Sequence, residues 1–174
     1  MIPPEELRHL ISGPLPGEEP GGVGLVVVAA VCAGDAESVR ARIQSVLATV
    51  VDHQQGPWPS LDEWQQLLPA WFLDACADEM SQEQAEAWVA WWRSLPADQQ
   101  AVASQEQVWT LADWLYWLEP AERQWFVWHL RLACADRIRV SVEVAGWPAP
   151  LGSLQWLLRA AGAVDVVVET QPST

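Results

Sequence analysis

From Trp125 to Val144 the chain runs Trp-Phe-Val-Trp-His-Leu-Arg-Leu-Ala-Cys-Ala-Asp-Arg-Ile-Arg-Val-Ser-Val-Glu-Val, and the period assigned to each half decides the fold. The second half alternates, with Ile138, Val140, Val142 and Val144 on one parity and Arg139, Ser141 and Glu143 on the other. A period of two sends these sets to opposite faces, so the spacing predicts a strand with one wet face. The first half fits another template. Trp125, Trp128, His129 and Leu132 fall at i, i+3, i+4 and i+7, the spacing of one helix face. Glu119-Pro120 ahead of them offers proline at a first helical position with Glu122 in the first turn, so a helix ending near Cys134 is expected.

Downstream, Gly146-Trp147-Pro148-Ala149-Pro150 turns the chain, residues 151–161 have helical periodicity, Gly162 is a left-handed stop, and residues 164–168 form a final strand. The crossover from Val144 to Val164 is long enough for a right-handed β-α-β unit with parallel strands. Upstream, Ser60 with Glu63, Ser81 with Gln84 and Ser104 with Gln107 form three capping boxes, and Pro69 and Pro96 interrupt the helices between them. Residues 60–134 are therefore expected to be a multi-helix insert. Val23–Val31 is apolar on both parities, as in a strand covered on both faces, and Asp35 is placed to cap a helix from Ala36 to about Val51. Residues 1–22 hold a short helix near Glu5–Ile11 and then a Gly/Pro/Glu stretch, a flexible lead-in to a single domain over 23–174. The expected class is α+β: a sheet of about three strands, a C-terminal β-α-β unit and the helical insert.

With 174 residues the chain can bury a core of its own without staples. Its net charge of −14 lacks the basic footprint that binding a nucleic acid or an anionic membrane requires. An acidic surface attracts a cationic partner instead. Lysine is absent and all nine basic residues are arginine, the mark of a GC-rich coding sequence. Cys32, Cys76 and Cys134 are far apart in apolar surroundings, as expected of buried free thiols in a reducing compartment. The amino terminus lacks a basic and apolar leader, and the longest apolar run, Gly24–Ala33, is too short to span a bilayer. The expected location is cytoplasmic.

Thirteen tryptophans, eleven of them between Trp58 and Trp128, are the strongest compositional signal. Trp88, Trp91, Trp92 and Leu95 share a helical stripe, as do Leu111, Trp114, Leu115 and Leu118, and the Trp125 stripe makes a third. Three neighbouring stripes of this kind are most simply packed together as core. Trp58, Trp109 and Trp147 fit no stripe. Acidity concentrates in the same region: residues 60–107 carry Asp62, Glu63, Asp74, Asp78, Glu79, Glu83, Glu86, Asp98 and Glu106 against Arg93 alone. Carboxylates beside aromatic faces attract guanidinium groups by ion pairing and cation–π contact.

No catalytic motif stands out. The glycines from Gly17 to Gly24 precede their strand, whereas a dinucleotide loop must follow one, and Asp35 and Glu37 would repel phosphate from the next helix. His9, His53 and His129 are isolated, with no zinc-ligand spacing. Asp74/Asp78 and Glu79/Glu83 are i, i+4 pairs of a kind usually solvated, and no cofactor is implied. The leading expectation is a non-catalytic module of immunity, antitoxin or adaptor type that engages another protein, one with a basic surface. The residues chosen for that contact are Trp58, Trp64, Trp109, Asp62, Glu63, Asp74 and Asp78. The alternative is an enzyme or small-ligand binder with a pocket between sheet and helices lined by Tyr116, Trp117, Trp128 and His129.

Overall fold

A computed structural model describes residues 2–21, 24–106 and 108–170. Its central strand is β1 (Leu25–Cys32), whose apolar residues on both parities suit a position between two neighbours. Asp35 ends the following turn and accepts hydrogen bonds from the N–H groups of Glu37 and Ser38, which opens α2 (Ala36–Asp52). After the helical insert come β2 (Trp125–Cys134), β3 (Arg137–Val144), α8 (Gly152–Ala161) and β4 (Ala163–Thr170). Gly162, with φ +121°, ends α8. The strands lie in the order β2-β3-β1-β4 and every neighbouring pair is antiparallel. Setting the insert aside, this is the β-α-β-β-α-β connectivity of split β-α-β, ferredoxin-like folds.

The α+β class is as expected, and two of its details are corrected. The sheet has four strands rather than about three, because the segment from Trp125 to Cys134 is a strand and not a helix. Trp125, Val127 and Leu130 are buried on one face, and a register shift between Val127 and His129 inserts Trp128 as an extra residue. That bulge breaks the alternation and leaves spacings of three and four that imitate a helix. The chain after Pro120 makes one turn, Arg123 N–H bonding to the Glu119 carbonyl at 2.9 Å, and then extends to pair Trp125 with Val144. The helical insert accordingly closes at Tyr116 and not at Cys134. The β3-α8-β4 crossover does return in the direction of β3, but β1 lies between the two strands, so no parallel pair forms.

One face of the sheet is covered by α2 and α8. Ile138, Val140 and Val142 meet Ile43, Leu47, Leu154 and Leu157, all fully buried. A third helix, α1 (Pro3–Ser12), sits at the β2 edge against α2. It brings Glu6 into the interior, where the carboxylate accepts hydrogen bonds from both terminal guanidinium nitrogens of Arg123 (3.1 and 2.5 Å) and from the Val127 N–H (2.8 Å). Arg123 lies over the Trp125 and Phe126 rings at 5.0 and 5.2 Å. The edge of β2 is thus closed by a desolvated ion pair that also satisfies a backbone donor beside the bulge.

Residues 13–21, part of the expected lead-in, run over the opposite sheet face. Gly13 (φ +77°) rests on the His129 ring so closely that an added Cβ would lie 2.7 Å from Nε2. Gly21 lies beside Glu143. Between them Glu18 bonds Arg8 (2.5 Å), His9 (2.9 Å) and the Leu15 N–H (2.7 Å). The Arg8 guanidinium and the Leu15 N–H hold its carboxyl down at about 2. Val23, where the first strand was expected to begin, and Gly22, the last residue of the expected lead-in, lie outside the described residues.

Candidate docking surface

The insert consists of α3 (Leu61–Leu67), α4 (Ala70–Leu73), α5 (Gln82–Ser94), α6 (Ala97–Glu106) and α7 (Leu111–Tyr116). The expected boxes at Ser60 and Ser81 are formed, each serine accepting an N–H and each Glu63 or Gln84 side chain reaching back. The third is not a helix start. Ser104 lies inside α6, its expected partner Gln107 falls outside the described residues, and α7 is opened by Thr110, whose hydroxyl accepts the Asp113 N–H at 3.1 Å.

Two groups of tryptophans stand apart, and one further exposed ring, Trp147, lies in the turn after β3. In the first, Trp114 and Phe72 are fully buried and Trp156 nearly so, with ring centroids 4.6–6.4 Å apart. Ser153 serves two of the buried indoles: its carbonyl accepts Trp114 Nε1–H at 3.0 Å and its hydroxyl accepts Trp125 Nε1–H at 3.3 Å. Trp109 packs on Gly152, which has room for it because it lacks a Cβ.

The second population is on α5. None of its thirteen residues is buried, although it carries Trp88, Val89, Trp91 and Trp92. Trp91 is 50% exposed and its ring lies 6.3 Å from that of Trp88. The expectation that this stripe is core is therefore corrected. The reason is topological. The Ala77 N–H bonds the Trp109 carbonyl at 2.9 Å, and Glu79 accepts the Ala112 N–H at 3.0 Å at the start of α7. These contacts pinch the chain into a neck, and α5 and α6 form a hairpin beyond it. Met80, Val102 and Val108 are also exposed on this excursion, together with Asp78, Glu83, Glu86 and Asp98. Apolar side chains and carboxylates thus share one projecting element with a single arginine, Arg93.

The residues chosen from sequence do not gather into one patch. Trp64 is 1% exposed in the core, stacked against Trp58 and His53, and is not on the outer surface. Trp58 is half-buried and lines, with Glu63, Leu67 and His53, a cavity of about 470 Å³. The Glu63 carboxylate is engaged by the Ser60 N–H (2.7 Å) and hydroxyl (2.8 Å), which hold its pKa below the ordinary carboxylate value. Asp62, Asp74 and Asp78 are exposed, and Trp109 is half-buried. Sequence reasoning missed the exposed α5 face because its helical period also fits a core.

The four residues named for the alternative pocket make contacts in pairs or with the N-terminal segment. Tyr116 and Trp117 meet edge to face, Trp128 packs edge-on against His9 at 4.5 Å, and His129 sits under Gly13. Burial, with Arg131 and His9 nearby, pushes the His129 pKa down. Cys32 is buried, whereas Cys134 is exposed, contrary to the expected burial, and donates to Asp136 at 3.0 Å. Burial raises the Cys76 thiol to about 11. No helix among the described residues is long and apolar enough to cross a membrane. The chain matches no protein-family model, no curated protein and no solved structure.

Proposed function

We propose that this chain is a non-catalytic protein-binding domain and that the α5–α6 hairpin is its docking element. The observation that carries this reading is α5 itself, a capped helix with three tryptophans and no buried residue. Exposed tryptophan is costly to leave in water and is over-represented among residues that dominate binding energy. The carboxylates around it favour a partner that presents arginine, which can pair with Glu83 or Glu86 and stack on Trp91. The free thiols support a reducing, cytoplasmic setting.

Affinity purification from the native host with the wild-type chain and with a Trp91→Ala/Glu86→Arg variant tests the reading. A partner retained by the wild type and lost by the variant, with its affinity falling as salt rises, is the expected result. Equal recovery by both, or no partner for either, removes the proposal.

A further inference from the structure

The two edges of the sheet are treated differently. The β2 edge is closed by α1 through Glu6, whereas among the described residues nothing pairs with the outer edge of β4. An uncovered edge offers a row of unpaired N–H and C=O groups to any extended chain. The device that usually blunts such an edge is confined here to one end, where a register shift leaves Val164 as an extra, 67% exposed residue. From Asp165 to Thr170 the pairing with β1 is regular, and this stretch has neither proline nor a basic residue.

The side chains along this edge specify what could be added. On the sheet face away from α2 and α8, β4 presents Asp165, Val167 and Glu169, with Val167 51% exposed. Beside them lies an open cavity of about 470 Å³ floored by Ala29 and Val31. Glu169 reaches across β1 to Arg139 at 3.2 Å, both side chains remaining about two-fifths exposed, while Asp165 is exposed. A second copy of the chain suits this edge poorly: two antiparallel β4 strands centred on Val167 would set Asp165 opposite Glu169, and like charges directly opposite are destabilising.

We propose that β4 accepts, as a fifth strand, an extended segment of another protein with the alternation basic, any residue, apolar, any residue, basic. The basic residues would stand opposite Asp165 and Glu169 and the apolar one opposite Val167. Main-chain hydrogen bonds along the edge would hold the segment, and this charge pattern would select it. The site is separate from the α5–α6 hairpin, so either reading can fail without the other.

The test uses the full chain and a fluorescein-labelled peptide with Arg-Thr-Val-Thr-Arg at its centre, read by anisotropy and by hydrogen exchange. Saturable binding with slowed exchange over Asp165–Glu169 is expected. An isomer with Thr-Arg-Val-Arg-Thr at its centre has the same composition but cannot place both arginines opposite the carboxylates, and should bind about threefold or more weakly. Asp165→Arg, at an exposed position, should weaken the parent peptide at least about fivefold. Binding should return with either Glu-Thr-Val-Thr-Arg or Arg-Thr-Val-Thr-Glu, the better order reporting the direction of the added strand. Equal binding of the isomers, no protection of β4, rescue by neither swapped peptide, or no binding at all overturns the proposal.

Discussion

Trp114 on α7 and Trp91 on α5 occupy the same place in the same kind of helical stripe, yet one is fully buried and the other half exposed. Both stripes are amphipathic, and neither differs locally in a way that predicts its fate. The difference is what each helix lies against. The α7 helix is set by Thr110 and Glu79 at its start and leads Trp114 to Phe72, Trp156 and the Ser153 carbonyl. The α5 helix lies past the neck, where its hairpin partner α6 leaves all thirteen of its residues short of full burial. A hydrophobic stripe therefore records a demand for burial, and only the fold or a partner supplies it.

The contrast can be broken at several points. Trp114→Ala should cost about 3–5 kcal/mol in denaturant unfolding, through the lost ring and the cavity left beneath α8. A cost under about 1 kcal/mol would mean that the aromatic cluster is not the core of the body. Arg123→Ala leaves the Glu6 carboxylate buried without its counter-ion and should cost about 3–5 kcal/mol, loosening α1 from β2 in hydrogen exchange. Ser153→Ala removes the hydroxyl that serves Trp125 while keeping the carbonyl that serves Trp114, an expected loss of about 1–2 kcal/mol.

Acid sharpens the comparison further. The Glu18 carboxyl is held at about 2 against an ordinary 4.5, so its ionised form belongs to the folded state. Its contribution is complete above the ordinary value and is lost as pH falls from about 4.5 toward 2. Unfolding followed across that window should be less steep in Glu18→Gln than in the wild type, and identical profiles would refute the role of Glu18 in tying residues 13–21 to α1. The smallest effect belongs to the hairpin. Trp91→Ala should change stability by less than about 1 kcal/mol, because half of the residue stays in water and its ring meets only Trp88 of the same helix among the ring contacts of the described residues. A large loss would show that α5 is structural after all.

Much of the fold was legible locally. The Ser60 and Ser81 boxes, the Asp35 cap, the alternation of Ile138 to Val144 and the Gly162 stop each work through neighbours within a few residues, and each appears where expected. The misreadings have separate causes. The segment from Trp125 to Leu132 looks helical because a bulge at Trp128 displaces its alternation, and the bulge exists only in pairing with β3. Thr110 was overlooked as a cap because the stronger box pattern at Ser104 drew the helix start upstream. Of the chosen contact residues, Trp58 and Glu63 meet at one cavity and Trp64 is core. The exposed aromatic face on α5 carried no signal that separates it from a buried one.

By itself, then, the sequence determined the helix starts at Asp35, Ser60 and Ser81, the α+β class, and that the chain would carry more tryptophan and carboxylate than an ordinary core and surface need. Local hydrogen bonding and side-chain period decide those matters within a turn or two of chain. Tertiary structure alone decided that Trp125–Cys134 is an edge strand, that Glu6 and Arg123 close that edge from 117 residues apart, and that among the described residues nothing pairs with the opposite edge and no residue of α5 is buried. Burial, pairing and edge position are properties of what lies across a contact, and that information is spread over the whole chain.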